Sequence, residues 1–239
     1  MPPPRLSIVL PSFRLEPVIY QNLFEVVKAV EGLGTYEIIV VDDGSPDRTG
    51  DEARRAAAQL PEVTVLAHPQ NRGKGEALTT GARKATGEIV VFIDADLDLP
   101  PEQIEMLLAE LPGFDIVVGA KRRSMGGGSY PAARRVLSRT FALGTAALFR
   151  LPVEETQTGL KVFRRQVLDR VLPELKLSGY AFDLELLVRA NEAGFKMREI
   201  PVELGPTAAS AGLRRSMLWD LGRDTGRLFW WKLKGNLKS

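Results

Sequence analysis

The sequence predicts an α/β fold built on a mostly parallel sheet with helices on both faces. Three observations carry this expectation. Apolar runs of strand length alternate with amphipathic runs of helix length through the first half of the chain. The strand-like runs are almost wholly apolar instead of alternating, as strands covered on both faces must be. Two of them end in acids, Asp42-Asp43 and Asp94-Ala95-Asp96-Leu97-Asp98, at the edge where sheets of this kind bind ligands.

The elements follow in order. Arg5 to Pro11 reads as a strand, Pro17 to Glu31 as a helix, Tyr36 to Asp42 as a strand and Pro46 to Leu60 as a helix. Ser45 suits the N-cap of that second helix and Pro46 its first position, where a missing N–H costs nothing. Val63 to Ala67 is the third strand, Gly75 to Ala85 a helix, Glu88 to Asp94 a strand and Pro101 to Leu111 a helix entered through Pro100-Pro101. After Phe114 to Val118 the pattern changes to Gly126-Gly127-Gly128 and a long mixed helix from about Pro131 to Arg150. A strand at Leu160 to Arg164, a helix at Phe182 to Ala193, a strand at Met197 to Leu204 and a helical pattern from Leu213 to Leu233 complete the chain.

Composition narrows the function classes. With 239 residues, 44% hydrophobic and 26% charged, the chain can bury a substantial core. It has no cysteine, which removes disulfides, thiolate metal sites and thiol nucleophiles and suits a reducing compartment. The single histidine, His68, argues against a histidine-based triad or a zinc site. The start, Met1-Pro2-Pro3-Pro4-Arg5, runs straight into strand-like sequence without the pattern of a signal peptide. The longest membrane-like stretch, Phe141 to Phe149, falls short of the ~20 residues of a spanning helix. A net charge of +2 does not favour nucleic acid as a partner.

The acidic triplet sets the chemistry. At alternate positions of an extended chain its three carboxylates would share one side, so their repulsion calls for a divalent cation or basic groups. An EF-hand loop would need glycine at its sixth position, where Leu99 stands, and a preceding helix instead of a strand. A solvated acidic turn and a carboxylate pair sharing a proton remain open alternatives. At Asp42-Asp43, adjacent side chains diverge. Either one turns to backbone donors while the other accepts N–H groups of a ligand base, or both only shape the turn. Asn71-Arg72-Gly73-Lys74-Gly75 places two cations and two glycines ahead of a helix, as a phosphate-cradling loop does, but without Walker A spacing. A solvated turn with a glycine at positive φ accounts for it equally well.

Together, Pro11-Ser12-Phe13, Val41-Asp42-Asp43-Gly44-Ser45, Asn71-Arg72-Gly73-Lys74-Gly75 and Asp94-Ala95-Asp96 resemble glycosyltransferase family 2 with the GT-A fold. Thr156-Gln157-Thr158-Gly159-Leu160-Lys161-Val162-Phe163 and Tyr180-Ala181-Phe182-Asp183-Leu184-Glu185-Leu186-Leu187 resemble the polyprenyl-phosphate sugar transferases, especially dolichyl-phosphate glucosyltransferases and mannose synthases. The resemblance runs from about Arg5 to Leu204. It implies that Asp43 contacts the donor nucleobase, with Pro11, Phe13 and Glu16 as the adjoining wall and Val41, Lys74 and Ala95 in the donor-binding set. Asp96 and Asp98 would hold Mg²⁺ or Mn²⁺ on the diphosphate, and Asp94 would orient the sugar or support the metal. The family often carries Gln or Gly where this chain has Asp98. Lys121, in Gly119-Ala120-Lys121, stands where the family commonly has arginine, which exchanges a bidentate clamp for a point charge. Arg134 and Ser138 match acceptor-phosphate positions, and their i, i+4 spacing puts them on one helix face.

The expectation is therefore an inverting, metal-dependent transfer of a hexose from a UDP-glucose or GDP-mannose type donor to a polyprenyl phosphate. A family 2 enzyme with a soluble acceptor and a non-catalytic nucleotide-sugar-binding module are the alternatives. The expected organisation is one catalytic domain over 1–212, with a nucleotide-sugar-binding half (1–120) and an acceptor half (121–212), then an amphipathic helix over 213–239. From Arg214 onward, Arg214, Arg215, Arg223, Arg227, Lys232, Lys234 and Lys238 oppose Asp220 and Asp224, and aromatic residues are interleaved. Such a helix either lies in a headgroup interface or caps the core with Trp219 and Trp230 inward. The expected location is cytoplasmic, peripheral at the inner face of the membrane.

Overall fold

The computed structural model describes residues 4–121, 144–179, 181–205 and 215–235, the last segment with side chains from residue 221. Among these, seven strands form one sheet: β1 (Leu6–Ser12), β2 (Tyr36–Asp42), β3 (Val63–Ala67), β4 (Ile89–Ile93), β5 (Ile116–Lys121), β6 (Leu160–Arg164) and β7 (Met197–Val202). Their order is β3-β2-β1-β4-β6-β5-β7. Every pairing is parallel except those of β6, which runs antiparallel to β4 and to β5. The helices are α1 (Ile19–Val30), α2 (Thr49–Ala57), α3 (Lys74–Lys84), α4 (Gln103–Ala109), α5 (described over 144–149), α6 (Arg165–Val171), α7 (Phe182–Glu192) and α8 (Arg215–Leu233). This is the mostly parallel, Rossmann-like GT-A architecture.

Strand alternation divides the apolar residues between two cores. Leu6, Ile8, Leu10, Ile38, Val40, Val91 and Ile93 meet α1, α2 and α4 on one face. Val9, Ile39, Val41, Val90 and Phe92 meet α3, α7 and α8 on the other, where the Phe92 and Phe163 rings lie 5.0 Å apart. Both faces being buried explains why the strands show no polar alternation. Each such side chain removed from water contributes about 1.5–3 kcal/mol before the entropy of ordering it.

Two local expectations are corrected. The helix expected from Pro46 starts at Thr49. The Asp42 carboxylate captures both Ser45 N–H (3.2 Å) and Ser45 Oγ (2.5 Å), so Ser45 closes a turn instead of capping. Asp47 takes over at the helix entry, accepting from Thr49 N–H (3.2 Å) and Thr49 Oγ1 (2.6 Å). At the other end of the chain, α8 packs Leu228 into the second core and Leu221 against Leu177 and Ala181. Lys232 Nζ donates to Phe149 O (3.1 Å) and pairs with Glu192 (2.7 Å), fixing the far end. Trp230 and Leu233 face outward, 56% and 65% exposed, so Trp230 is no part of the core. The side chain of Trp219 lies outside the described residues. No helix among the described residues is long and apolar enough to cross a membrane.

Candidate active site

A cleft of about 460 Å³ opens where β1, β2 and β4 end. Pro11, Ser12, Phe13 and Leu15 form one wall, Asp43, Asn71, Gly73 and Lys74 another, and Asp94, Ala95, Asp96 and Gly179 complete it. The acids lie there because parallel strands deliver their carboxyl ends to one edge.

The triplet is a turn, not an extension of the strand. β4 stops at Ile93, Leu97 N–H donates back to Asp94 O (3.1 Å), and Leu97 takes φ of 53°, a left-handed conformation costly for leucine. The three carboxylates therefore do not share one side as alternate strand residues would. Asp94 Oδ1 pairs with Lys74 Nζ at 2.5 Å. Asp96 is exposed, and its Oδ1 accepts Asp98 N–H at 3.2 Å. The backbone of Asp98 is held again where its carbonyl accepts Gly205 N–H (2.8 Å), and Asn22 Nδ2 donates to Ala95 O (2.8 Å).

Electrostatics separates the acids further. Burial pushes the Asp94 carboxyl up, but the Lys74 ammonium, with smaller help from Lys161 and Lys121, holds it below the usual carboxylate range. Burial also works against the Lys74 charge, yet Asp94, Asp183 and Asp96 together raise it well above the ordinary lysine value. Asp96 moves the opposite way. Desolvation at the cleft wall and then the Asp94 and Asp98 charges push it above its normal range. Among the described residues, no three histidine, cysteine or acidic side chains gather as a ready-made metal cage. The donor set nevertheless fits Mg²⁺ or Mn²⁺, because such ions on nucleotides take one or two carboxylates and complete their shell with phosphates and water. Asp96, with Asp98 beside it, is the carboxylate that meets that description.

At Asp42-Asp43 both carboxylates accept from the chain. Asp42 holds Ser45, as above. Asp43 Oδ1 accepts Arg72 N–H (2.9 Å) and meets His68 Nδ1 (2.7 Å), while Oδ2 accepts Gly73 N–H (2.8 Å). His68 is 9% exposed and its Nε2 contacts Thr80 Oγ1 (3.0 Å), so it is a structural residue. A carboxylate offers about four acceptor directions, so these three contacts leave Asp43 one, at Oδ2.

Of the residues singled out in the sequence, Pro11, Phe13, Asp43, Lys74, Asp94, Ala95 and Asp96 come together in the cleft. Val41 stands behind it, with its side chain fully buried and its carbonyl accepting Ser12 Oγ (3.3 Å). Glu16 accepts Arg48 N–H (3.1 Å) beside the cleft. Lys121 is exposed at the end of β5. Arg134 and Ser138 lie outside the described residues. Glu185, fully buried, accepts Lys176 and Leu177 N–H (3.0 and 2.8 Å) and Arg189 Nε (2.8 Å), which makes it a structural clamp. Sequence reasoning gave Lys161 no role, although it is 1% exposed and paired with Asp183 at 2.7 Å. A lysine within the apolar strand Leu160-Lys161-Val162-Phe163 was the available signal.

Comparison with known proteins bears on the family and the fold. Dolichol-phosphate mannosyltransferase of Pyrococcus furiosus is 29% identical over 235 residues, 95% of this chain and 64% of that protein. This chain thus spans just under two thirds of the length of that relative. Undecaprenyl-phosphate mannosyltransferase of Micrococcus luteus is 31% identical over 74% of this chain and 77% of its own length. Among solved structures, mannosyl-3-phosphoglycerate synthase from Rubrobacter xylanophilus superposes with a TM-score of 0.72 at 22% identity, over 99% of this chain and 77% of that one. The mannosyltransferase PcManGT from Pyrobaculum calidifontis, in complex with GDP-Man and Mn²⁺, gives a TM-score of 0.61 at 24% identity, over 92% and 61%. The family model described as Glycosyl transferase family 2 matches residues 7–172, and with the fold and the acidic cleft at its strand ends this chain belongs to that family.

Proposed function

We propose that this chain transfers a hexosyl unit, with inversion, from a nucleoside diphosphate sugar to a polyprenyl phosphate at the inner face of the cell membrane. The observation that carries the reading is that an ammonium and an exposed carboxylate line the same cleft. Lys74 is an ammonium for a diphosphate, and Asp96 is a carboxylate for its cation, 22 positions further along the chain. The names of the relatives, transferases to dolichol and undecaprenyl phosphate, support the acceptor class.

The donor base lies against Pro11 and the exposed Phe13 ring, and the remaining acceptor direction of Asp43 receives an N–H of the base. Asp94, kept ionised by Lys74, orients sugar hydroxyls, and Ala95 keeps that wall low enough for the ribose and diphosphate to approach. Asp96, with Asp98 behind it, would hold Mg²⁺ or Mn²⁺, which when bound supplies Lewis-acid stabilisation of the departing nucleoside diphosphate. A lipid phosphate is already anionic, so it needs positioning and charge neutralisation more than a general base. Lys121, with Arg134 and Ser138 from outside the described residues, supplies that on the acceptor side. The exposed Trp230 and Leu233 with Lys234, whose ammonium lies 4.7 Å from the Trp230 ring, suit a headgroup interface.

The test incubates the purified chain with labelled UDP-glucose or GDP-mannose, polyprenyl phosphate and Mg²⁺ or Mn²⁺, and measures label extracted into organic solvent. Label in the lipid phase is expected with one donor. Transfer only to a water-soluble acceptor would overturn the acceptor assignment, and donor binding without transfer or hydrolysis would indicate a binding module.

A further inference from the structure

Lys161 sits in the middle of the sheet, opposite Phe92 on β4 and Val118 on β5, and buries its charge almost completely. Removing an ammonium and a carboxylate from water costs several kcal/mol per ion, and apolar replacements of such pairs are often as stable. A specific geometric task is therefore the better account of this one. We infer that the Lys161–Asp183 pair is a positioning tie that joins the two walls of the cleft and holds the Asp94–Lys74 ion pair in place at the site of a nucleoside diphosphate. This deepens the reading of the cleft as a nucleotide-sugar site and rests on it.

One end of the tie is the turn under Asp94. Lys161 Nζ donates to Thr158 O at 2.5 Å, and the next residue, Gly159, accepts Asp94 N–H at 3.1 Å. Gly159 lies so close that a Cβ there would stand 2.3 Å from Asp94 Oδ2. The other end is the start of α7. Lys161 Nζ donates to Asp183 Oδ1 at 2.7 Å, and Asp183 follows Phe182, whose ring packs on Gly75 closely enough that a Cβ there would be 2.5 Å away. Ser178 O, in the segment entering α7, accepts Gly75 N–H (3.0 Å) and also closes over Gly73. These contacts fix the loop that carries Lys74. One ammonium thus reaches the acid side through two residues and the lysine side through one helix turn.

The test compares the full chain with Lys161→Met/Asp183→Leu, which removes both buried charges, and with Asp183→Asn, which keeps the hydrogen-bonded tie. Calorimetry with UDP and GDP in the presence of Mn²⁺ measures the diphosphate site without turnover, donor KM and kcat follow, and thermal melts monitor the fold. The double variant is expected to melt cooperatively but to bind the nucleoside diphosphate about tenfold more weakly, with donor KM rising in step. Asp183→Asn is expected to melt at a lower temperature, because the buried ammonium loses its counter-charge, but while folded to bind the nucleoside diphosphate within about threefold of the unaltered chain. Unaltered affinity in a cooperatively folded double variant would overturn the tie, and so would an Asp183→Asn variant as weak as the double one. Should the double variant not fold, Lys161→Met/Asp183→Asn, which likewise leaves no buried charge unpaired, carries the same expectation and the same refutation. If the unaltered chain binds neither diphosphate, the nucleotide-sugar reading itself falls, and the tie with it.

Discussion

Gly159→Ala places one methyl group where the structure has no room for it. The added carbon would lie 2.3 Å from Asp94 Oδ2, 2.6 Å from its Cγ and 3.1 Å from its Cβ, against about 3.4 Å for an ordinary contact. The carboxylate must therefore retreat by about 1 Å, and rotation alone does not suffice because Asp94 Cβ is itself crowded. The Asp94 side chain is 35% exposed and can give way into the cleft, so the stability cost sits near 1 kcal/mol, at the low end for overpacking. For a chain of this size that lowers Tm by about 2–4 °C. The functional cost is larger. A 1 Å retreat breaks the 2.5 Å contact with Lys74 and misplaces the carboxylate, and misplacements of that size cost about 10²-fold in rate. The assay is kcat/KM for the active donor beside thermal melts, with Gly32→Ala as control because a Cβ at Gly32 meets nothing within 4 Å. Full activity in Gly159→Ala would refute the argument, as would a loss of activity that only follows unfolding.

Three other outcomes follow from named contacts. Asp96→Asn is expected to abolish metal-dependent turnover and to raise Tm at neutral pH without added metal. The Asp96 carboxyl is raised above its ordinary range, so its ionised form opposes folding once pH exceeds that raised value; an unchanged or lower Tm would contradict this. Glu37 on β2 is partly buried and holds Ser7 Oγ, Thr86 N–H and Thr86 Oγ1, each at 2.7 Å, and against the opposing effect of burial these bonds lower its carboxyl. Its stabilisation is present above the ordinary glutamate value near 4.5 and lost as pH falls through the lowered one, so the Tm gap between the unaltered chain and Glu37→Gln should close on acidification. His68→Ala removes a buried partner of Asp43 and of Thr80 and should cost about 1–3 kcal/mol, read as a lower denaturation midpoint in urea; an unchanged midpoint would remove His68 from the structural set.

The strands at 36–42, 63–67 and 160–164 were legible to the residue, because each is a short run rich in β-branched or aliphatic residues whose few polar members do not break it, with turn-forming or polar residues on its flanks. The direction of β6 was not, since a strand's polarity against its neighbours is set by the path of the chain before it and leaves no local mark. α6 was missed for a different reason. Arg165 follows Arg164 of β6 directly, with no capping side chain and no glycine or proline to announce a change. In the site, acids at strand ends and glycines before a helix pointed to Asp43, Lys74, Asp94 and Asp96. What those patterns could not supply was pairing. Asp42 with Ser45, Asp43 with the 72–73 backbone and Lys161 with Asp183 join residues by contacts that the linear spacing does not encode.

The acidic triplet shows why pairing decides function. Spacing alone makes Asp94, Asp96 and Asp98 equivalent, and an extended chain would leave all three to be neutralised by the same cation. The left-handed Leu97 breaks that equivalence by turning the chain immediately after Asp96. Asp94 is then held from below by Gly159 and from the side by Lys74, so the protein itself supplies its counter-charge. The main chain of Asp98 is committed at both ends, its N–H to Asp96 Oδ1 and its carbonyl to Gly205. Asp96 is left at the cleft surface with two carboxylates pressing on it and its nearest ammonium shared with Asp94. The unfavourable charge is thereby concentrated on one group at the mouth of the site. On the function proposed above, a cation brought in on a diphosphate would relieve that charge.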